Sequence, residues 1–173
     1  ASMLRMYRFL KTLPGLENVK LVSMSPEVGV RETFRVKGEY LITQDDYTSG
    51  RTYPDAVCYA YYPIDLHDKN TGVHPAHLAE GRVATVPLRA LIPAGAKNLL
   101  VAGRCISSDR YANSALRVEA TCMATGQVAG EAAALAAKLG VTPGAVPIEQ
   151  LHAGLVARRA VVPPTESKEP RIK

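Results

Sequence analysis

The sequence has no tryptophan, only two phenylalanines and no long apolar run among its 173 residues. The longest apolar stretches, residues 99–102 and 132–137, are far too short to cross a bilayer. The first residues show neither a secretory signal nor a basic transit segment, and they resemble a cut boundary that would hide an earlier leader. Because the apolar stretches are too short to cross a bilayer, we expect no membrane partner.

Cysteine is also scarce, with three residues at wide spacing. Neither a CxxC pair nor a Cys/His pair with zinc-ligand spacing is present. His74 and His77 form an HxxH pair, but Pro75 between them favours an irregular loop over a metal site. We expect reduced thiols, no bound metal and, from the thiols, a cytoplasmic location.

Positive charge is in modest excess, because 21 lysines and arginines against 16 acidic residues give a net charge of +5. The basic residues are scattered, and the densest groups lie at the C-terminal end. No basic helix face interleaved with aromatic residues is present, which argues against nucleic-acid binding. With 47% apolar and 21% charged residues, the composition is that of a globular protein.

Hydrophobic periodicity and turn residues predict mixed helices and strands in the first two thirds of the chain. An amphipathic pattern predicts a helix over residues 2–12. Thr43 followed by Asp46 predicts a short helix or turn over residues 43–49. Strands are expected at 19–24, 31–37, 56–62 and 82–86, and a long loop is expected at 63–81.

The last third of the chain shows a different pattern of residues. Residues 98–102 form a short apolar run ending in glycine, a pattern typical of a buried parallel strand. A polar loop at 104–113 leads into a helix over 118–139, which Gly140 ends. A further helix is expected over 147–159, followed by a loose tail.

The long helix carries two glycines, Gly126 and Gly130, one turn apart on the face that also holds Ala133 and Ala137. Each helical glycine costs about 1 kcal/mol relative to alanine, so the close approach of a ligand or another backbone would explain the pair. The start of this helix presents unpaired N–H groups that favour an anionic ligand. The alternative is an alanine-rich helix that packs without a ligand.

One stretch resembles the C-terminal signature of a family of FAD-dependent oxidoreductases: residues 98–140, NLLVAGRCISSDRYANSALRVEATCMATGQVAGEAAALAAKLG. Further blocks upstream resemble segments of the same family in the same order. These blocks are residues 29–35, 38–40, 53–55, 65–68 and 86–93. The resemblance covers roughly residues 14–155, and the order of the blocks makes it specific.

The resemblance implies an α/β (mixed α+β) fold, the C-terminal part of a Rossmann-type FAD/NAD(P)-binding fold plus part of an antiparallel β substrate domain. Residues 1–92, with the N-terminal helix, would belong to the substrate domain, residues 93–160 to the FAD-binding fold and residues 161–173 to a flexible tail. The GxGxxG segment that cradles the FAD pyrophosphate is absent from the sequence. The expected partner is therefore an N-terminal FAD-binding half, on the same or a separate chain.

The implied reaction is hydride transfer from an unidentified small-molecule substrate to the flavin of FAD, with the chain inactive on its own. Faces left exposed by the absent half predict self-association into a homo-oligomer. The alternative is a non-catalytic subunit or degenerate remnant that acts as a protein-interaction module.

The resemblance also implies a set of cofactor-binding residues at the end of the chain. They are Gly103, Arg104, Ser107, Arg117, Thr121, Cys122 and Gly126. Arg117 would place positive charge near the flavin, whereas a small buried thiol is the favoured alternative for Cys122. Surface salt bridges for the arginines and a turn for Ser107 are the alternatives.

Three further residues are candidates for substrate chemistry. His67, flanked by two aspartates, is the candidate for proton transfer, because a neighbouring carboxylate can orient the imidazole. The alternative is a loop histidine held by hydrogen bonds. Arg31 and Arg35 face the same side of an expected strand and would bind an acidic substrate or pair with a carboxylate such as Glu32.

Overall fold

The computed structural model describes residues 2–32, 34–68 and 72–164, without the side chains of residues 67, 68 and 72–75. It divides into two compact units, Ala1–Val30 and Arg31–Lys173. Most of the tail expected at 161–173 lies outside the described residues. The domain boundary expected between residues 92 and 93 stays a prediction.

The smaller unit is built on one amphipathic helix, α1 (Ser2–Leu10), none of whose residues is buried. The Tyr7 hydroxyl donates to the Val19 carbonyl at 3.4 Å and ties the helix to the segment that follows it. The strand expected at 19–24 is wrong, because these residues form no strand in the described structure. Alternation alone supplies no partner strand for their backbone groups.

The larger unit mixes helices with antiparallel strand pairs throughout its described part, so the chain has the mixed α/β fold that the sequence predicts. The strands are β1 (Ala56–Ala60), β2 (Ile64–Asp68), β3 (Gly72–Ala76) and β4 (Ala84–Pro87). Strand β1 pairs with β4, and β2 pairs with β3. The helices are α2 (Gln44–Thr48), α3 (Arg110–Leu116), α4 (Glu119–Leu139) and α5 (Ile148–Ala157), with 3₁₀ turns at Leu88–Leu91, Gly103–Cys105 and Pro143–Ala145.

Two helix ends follow the predicted capping. The Thr43 hydroxyl accepts a hydrogen bond from the Asp46 N–H at 3.2 Å, and the Asp46 carboxylate accepts one from the Thr43 N–H at 3.1 Å. This reciprocal capping box begins α2. Gly140 ends α4 in the left-handed region at φ 68°. The helix or turn expected at 43–49 and the helix expected at 118–139 are therefore confirmed.

The long loop expected at 63–81 is wrong. Strands β2 and β3 form a hairpin within it, with Ile64 opposite Ala76. The glycines and prolines of this stretch favour a loop in isolation. A two-stranded ladder nevertheless leaves outward-facing N–H groups unpaired on each strand, so a proline such as Pro75 is tolerated there.

The parallel strand expected at 98–102 is also wrong, and the described residues of the strand expected at 31–37 form no strand either. Val101 donates to the Leu91 carbonyl at 2.8 Å, but none of the described strands pairs with its segment. An apolar run becomes a parallel strand only beside a second strand. The Rossmann-type part of the fold therefore stays a prediction.

The second half of the polar loop expected at 104–113 is wrong as well, because α3 begins at Arg110. Asp109 caps this helix, its carboxylate accepting a hydrogen bond from the Ala112 N–H at 2.7 Å. The side chains of Ala112, Ala115 and Leu116 are fully buried. A short helix with so small a buried face leaves little periodicity in the sequence.

The core of the larger unit lies between the β1–β4 pair and the helices α4 and α5. Its most deeply buried side chains include Val57, Val86, Val128, Leu151 and Leu155. Helix α4 packs on β1 and α5 with one face. Its opposite face is exposed, so the helix is held from one side only within the described residues.

Candidate functional site

A glycine turn anchors the loop before α3 to helix α4. Gly103 begins this 3₁₀ turn at φ 77°, a left-handed conformation that favours glycine. Its N–H donates to the Thr125 hydroxyl at 3.0 Å. That hydroxyl in turn lies 2.9 Å from the Thr121 carbonyl and 3.0 Å from the Cys122 carbonyl, and it donates back to the helix. Thr125 therefore fixes the turn against the second turn of α4.

Two predicted cofactor residues meet at this turn. A Cβ added to Gly103 would lie 3.9 Å from both the Cβ and the Sγ of Cys122, which is ordinary van der Waals distance. Thr121 is buried whereas Gly126 is exposed, so these two face different sides of α4. Sequence reasoning missed Thr125, although its place four residues after Thr121 puts both on one helix face.

Arg117, between α3 and α4, is held by two strong contacts. Its side chain is only 9% exposed. Its guanidinium donates to Glu32 Oε2 and to the Asp65 carbonyl, both at 3.0 Å. A buried charge is costly unless it is paired and hydrogen-bonded, and these contacts meet that requirement. Arg117 is therefore no ordinary surface arginine, and it joins three segments that are far apart in the sequence.

Two further arginines lie beside the carboxylates of Glu32 and Asp65. Arg110 Nε is 3.6 Å from Glu32 Oε1, and Arg31 Nη1 is 3.5 Å from Asp65 Oδ2. Their side chains are 53% and 58% exposed. Arg31 thus has a carboxylate partner, which was one of the two alternatives its sequence position left open. Sequence reasoning missed Arg110, because the expected polar loop hid its place at the start of α3.

Arg104 and Arg35 complete the group. Arg104 donates to the Arg31 carbonyl at 3.3 Å, and Arg35 Nε donates to the Ser108 carbonyl at 3.0 Å. We call these five residues, Arg31, Arg35, Arg104, Arg110 and Arg117, the arginine cluster. The cluster joins residues expected at a cofactor with residues expected at a substrate.

Two carboxylates lie within the arginine cluster. Arg31 contacts that of Asp65, and Arg110 and Arg117 contact that of Glu32. The neighbouring Asp109 carboxylate is already engaged by the N–H groups of Ala112 at 2.7 Å and Gln44 at 2.6 Å.

Three buried polar atoms beside the cluster have no hydrogen-bond partner within the described part of the chain. They are Ser107 Oγ, Ser108 Oγ and Asn113 Oδ1. Asn113 is fixed at its other atom, since Nδ2 donates to the Arg104 carbonyl at 3.1 Å. A buried polar atom without a partner costs about 1–3 kcal/mol, so a polar group from outside the chain would relieve that cost.

His67, the candidate for proton transfer, lies in β2 opposite Val73. Its side chain lies outside the described residues, and its role stays a prediction. Strand β2 is tied to α3, because the Asp65 N–H donates to the Ser114 hydroxyl at 3.1 Å. The backbone of His67 is thus two residues along the strand from an ion pair of the arginine cluster.

The small-residue face of α4 is open. No described atom beyond the helix lies within 4 Å of a Cβ added to Gly126 or Gly130. Ala133 and Ala137 on the same face are exposed, and so is Met123, at 68%. The space beside the glycines can therefore take a ligand or another backbone at close range.

The thiols near and far from this site are poor nucleophiles. Burial raises the pKa of the Cys122 thiol, although the positive charge of Arg104 lowers it in part and Cys105 raises it further. Burial raises the pKa of Cys58 to about 12. The thiolate is the reactive form, so these cysteines are mainly protonated and weakly reactive near neutral pH.

Comparison with known proteins was made once this geometry was established. The family model described as FAD dependent oxidoreductase matches residues 3–155. No curated protein and no solved structure matches the chain. Over residues 2–32, 34–68 and 72–164, no helix is long and apolar enough to span a membrane. Among the side chains that the structure describes, no three of His, Cys, Asp or Glu are grouped to hold a metal ion.

Proposed function

The chain belongs to the FAD-dependent oxidoreductase family, and from this premise we propose that the Gly103 turn and the arginine cluster form part of a site that oxidises a small molecule. One observation carries the proposal. Arg104 and Arg117, implied as cofactor residues, converge with Arg31, and Arg35 contacts the Ser108 carbonyl next to the implied cofactor residue Ser107. Chain segments that are distant in the sequence thus meet where cofactor and substrate must meet.

The residues around the Gly103 turn fit FAD. Ser107 and Ser108 hold buried hydroxyls without described partners, and the open face of α4 leaves space beside Gly126 and Gly130. When bound, FAD supplies an acceptor for the hydride that leaves the substrate. Arg104 and Arg117 supply positive charge that favours negative charge developing nearby, and the two hydrogen bonds of Arg117 keep its guanidinium in place.

On the substrate side, Arg31 and Arg35 bind and orient the molecule. His67 accepts the proton that the substrate loses, a role that rests on its position in β2 beside the Arg31–Asp65 ion pair. An imidazole suits this task because its ordinary pKa lies close to neutral pH. The substrate itself is a small molecule.

A separate dinucleotide-binding half completes the site. The sequence contains no GxGxxG, so the segment that cradles the pyrophosphate comes from elsewhere in the same chain or from another chain. The open face of α4 is the surface that this half contacts. Residues 93–160 then join its FAD-binding fold, and residues 1–92 belong to the substrate side. Left uncovered, the same face would favour self-association and weak FAD binding.

One observation favours a second function, that of a non-catalytic interaction module. The open glycine and alanine face of α4 suits close contact with a partner backbone whether or not a flavin is bound. A module of this kind would keep the partner surface and lose the dependence on FAD.

Titration of the 173-residue chain with FAD, followed by the flavin absorption spectrum, separates these functions. We expect weak, saturable binding that Gly126→Leu weakens, because the leucine side chain fills the open face of α4. Ala134→Leu is the matched control, since residue 134 is exposed and lies about 80° round the helix from Gly126.

An unchanged flavin spectrum, or equal weakening by both variants, would contradict the cofactor site and favour the interaction module. A tight complex formed by the chain alone would contradict the need for a separate dinucleotide-binding half.

A further inference from the structure

We propose that a cavity between two loops of the larger unit binds a small flat aromatic molecule that carries an O–H or N–H donor. The cavity has a volume of about 400 Å³ and is lined by residues 61–63 and residues 77–82. None of these residues belongs to the arginine cluster or to the Gly103 turn. The inference goes beyond the proposed function, because it assigns a second ligand site that needs no flavin.

Strand pairing brings the two loops together. Ile64 lies opposite Ala76 at one end of the β2–β3 hairpin, and Ala60 lies opposite Ala84 in the β1–β4 pair. Both loops therefore connect the same two strand pairs, and their ends are neighbours. The volume of the cavity falls in the range of small-molecule pockets.

Helix α2 holds both loops in place. Tyr47 is buried, and its hydroxyl donates to the Tyr62 carbonyl at 2.8 Å and accepts from the Tyr62 N–H at 3.0 Å. On the other loop, the Ala79 N–H donates to the Thr48 carbonyl at 3.5 Å, and the Arg82 N–H donates to the Ala79 carbonyl at 3.0 Å. A cavity whose walls are fixed in advance loses little conformational freedom when a ligand binds.

Two tyrosine rings select an aromatic ligand. Tyr61 and Tyr62 are neighbours in the cavity wall, yet they are 72% and 40% exposed. Aromatic rings attract each other in offset-stacked or edge-to-face geometry beyond the effect of burying their area. Pro63 and Leu78, both partly buried, add apolar surface to the same wall. The ligand that fits these walls has a flat, largely apolar body.

Two polar side chains select a hydrogen-bond donor on that ligand. His77, one member of the HxxH pair, and Glu80 also line the cavity, and both are exposed. Within the part of the chain that the structure describes, neither side chain makes a hydrogen bond or an ion pair. A carboxylate accepts hydrogen bonds, and an imidazole nitrogen can accept one as well. A ligand with a ring O–H or N–H therefore finds an acceptor at either residue.

The experiment is an NMR titration of the ¹⁵N-labelled 173-residue chain with p-cresol, a small flat phenol. Two matched compounds separate its features, because 4-methylanisole keeps the ring without the O–H and 4-methylcyclohexanol keeps the O–H without the flat ring. The signals followed are the amide resonances of Tyr61, Tyr62, Ala79 and Gly81. We expect them to shift saturably with p-cresol, with a dissociation constant of about 1 mM for so small a ligand.

Variants of the lining residues test the place of binding. Tyr61→Ala should weaken p-cresol binding by about five-fold, the effect of one aromatic pair, and Tyr61→Phe should restore it. Ala79→Leu should weaken it by about ten-fold or more, because the larger side chain fills the cavity. Ala153→Leu is the matched control, since Ala153 is exposed on α5 and does not line the cavity.

The matched compounds test the class of ligand. p-Cresol should bind about five-fold more tightly than 4-methylanisole, the effect of one hydrogen bond, and Glu80→Ala or His77→Ala should lower that preference. We expect no saturable shift with 4-methylcyclohexanol. A preference that is unchanged in both variants would overturn the donor assignment.

Three results would overturn the proposal as a whole. The first is the absence of a saturable shift with p-cresol up to about 10 mM. The second is equal weakening by Ala79→Leu and Ala153→Leu, which would place the binding outside the cavity. The third is equal binding of p-cresol and 4-methylcyclohexanol, which would show that the tyrosine rings do not select an aromatic ligand.

Riboflavin separates this cavity from the proposed flavin site, because it is itself flat and carries a ring N–H. The proposed function places the flavin beside the Gly103 turn, so we expect riboflavin and FAD to leave p-cresol in place. Displacement of p-cresol by riboflavin would assign the cavity to the flavin and overturn the second site. Flavin absorbance reports FAD binding separately. Binding of p-cresol without binding of FAD would contradict the proposed function alone, whereas the reverse would contradict the cavity site alone.

Discussion

Replacing Thr125 by valine tests whether one hydroxyl fixes the Gly103 turn. Valine keeps the shape of threonine and removes the acceptor that the Gly103 N–H uses at 3.0 Å. It also removes the donor that faces the Thr121 carbonyl at 2.9 Å. Leaving a partly buried N–H without a partner costs about 1–3 kcal/mol, so we expect the free energy of unfolding to fall by about 2 kcal/mol.

Urea unfolding followed by circular dichroism measures this loss. With a urea slope of about 2 kcal/mol per molar, the midpoint should fall by about 1 M. Thr48→Val is the matched control, because the Thr48 hydroxyl donates only to its own helix, to the Gln44 carbonyl at 3.0 Å, in the hydrogen bonds described. If the two variants lose the same stability, Thr125 does not fix the turn and the reasoning about Gly103 fails.

Three further predictions concern glycine, charge and thiol positions. Gly126→Ala should stabilise the chain by about 1 kcal/mol, because its face of α4 is open and alanine is the better helix former. Gly38→Ala should destabilise it in the same urea assay, because the added Cβ would lie 2.6 Å from the Cβ of a buried serine; a loss of stability for Gly126→Ala, or a gain for Gly38→Ala, would contradict the packing described. Burial raises the pKa of Asp46, but hydrogen bonds from three neighbouring residues outweigh it and hold the pKa below its ordinary value. The stability that this carboxylate contributes is therefore present above its unfolded pKa and is lost as the pH falls through its folded pKa. Asp46→Asn should make the urea midpoint of unfolding fall less steeply as the pH is lowered. A midpoint that depends on pH as it does in the unmodified chain would refute the assignment. Cys58, with its pKa raised to about 12, should resist iodoacetamide in the native chain and react after unfolding, as peptide mass spectrometry can show; native labelling of Cys58 before Cys105 would contradict its burial.

Local signals in the sequence predict the helices well. The small-residue helix with Gly140 behind it is observed as α4 (Glu119–Leu139), and the Thr43–Asp46 pair forms the capping box that begins α2. These features depend on residues within one or two turns of each other, so the sequence contains what they require.

Strands depend on partners, and here sequence reasoning failed. The apolar run at 98–102 has the composition of a buried strand, yet none of the described strands pairs with it. The hairpin of β2 and β3 lies in a stretch whose glycines and Pro75 favour a loop. In both cases, whether the segment forms a strand depends on which other segment lies beside it. That pairing is decided by residues far away in the sequence.

The sequence predicted several residues of the candidate site, but it did not predict how the fold brings them together. Gly103, Arg104 and Arg117 were implied by a resemblance, and Arg31 by strand alternation. Their convergence depends on contacts between segments far apart in the chain, such as the Arg117–Glu32 ion pair. Arg110 gains its role only from these contacts, and the helical spacing of Thr125 from Thr121 places it on one face without showing that it holds the Gly103 turn.

The central claim is that FAD binds beside the Gly103 turn and the open face of α4. Amide resonances of the glycines test it most directly when the ¹⁵N-labelled chain is titrated with FAD. We expect the N–H signals of Gly103 and Gly126 to shift saturably, and those of Gly81 and Gly144 to stay in place. Shifts confined to Gly81 and Gly144, or no saturable shift at Gly103, would contradict the account.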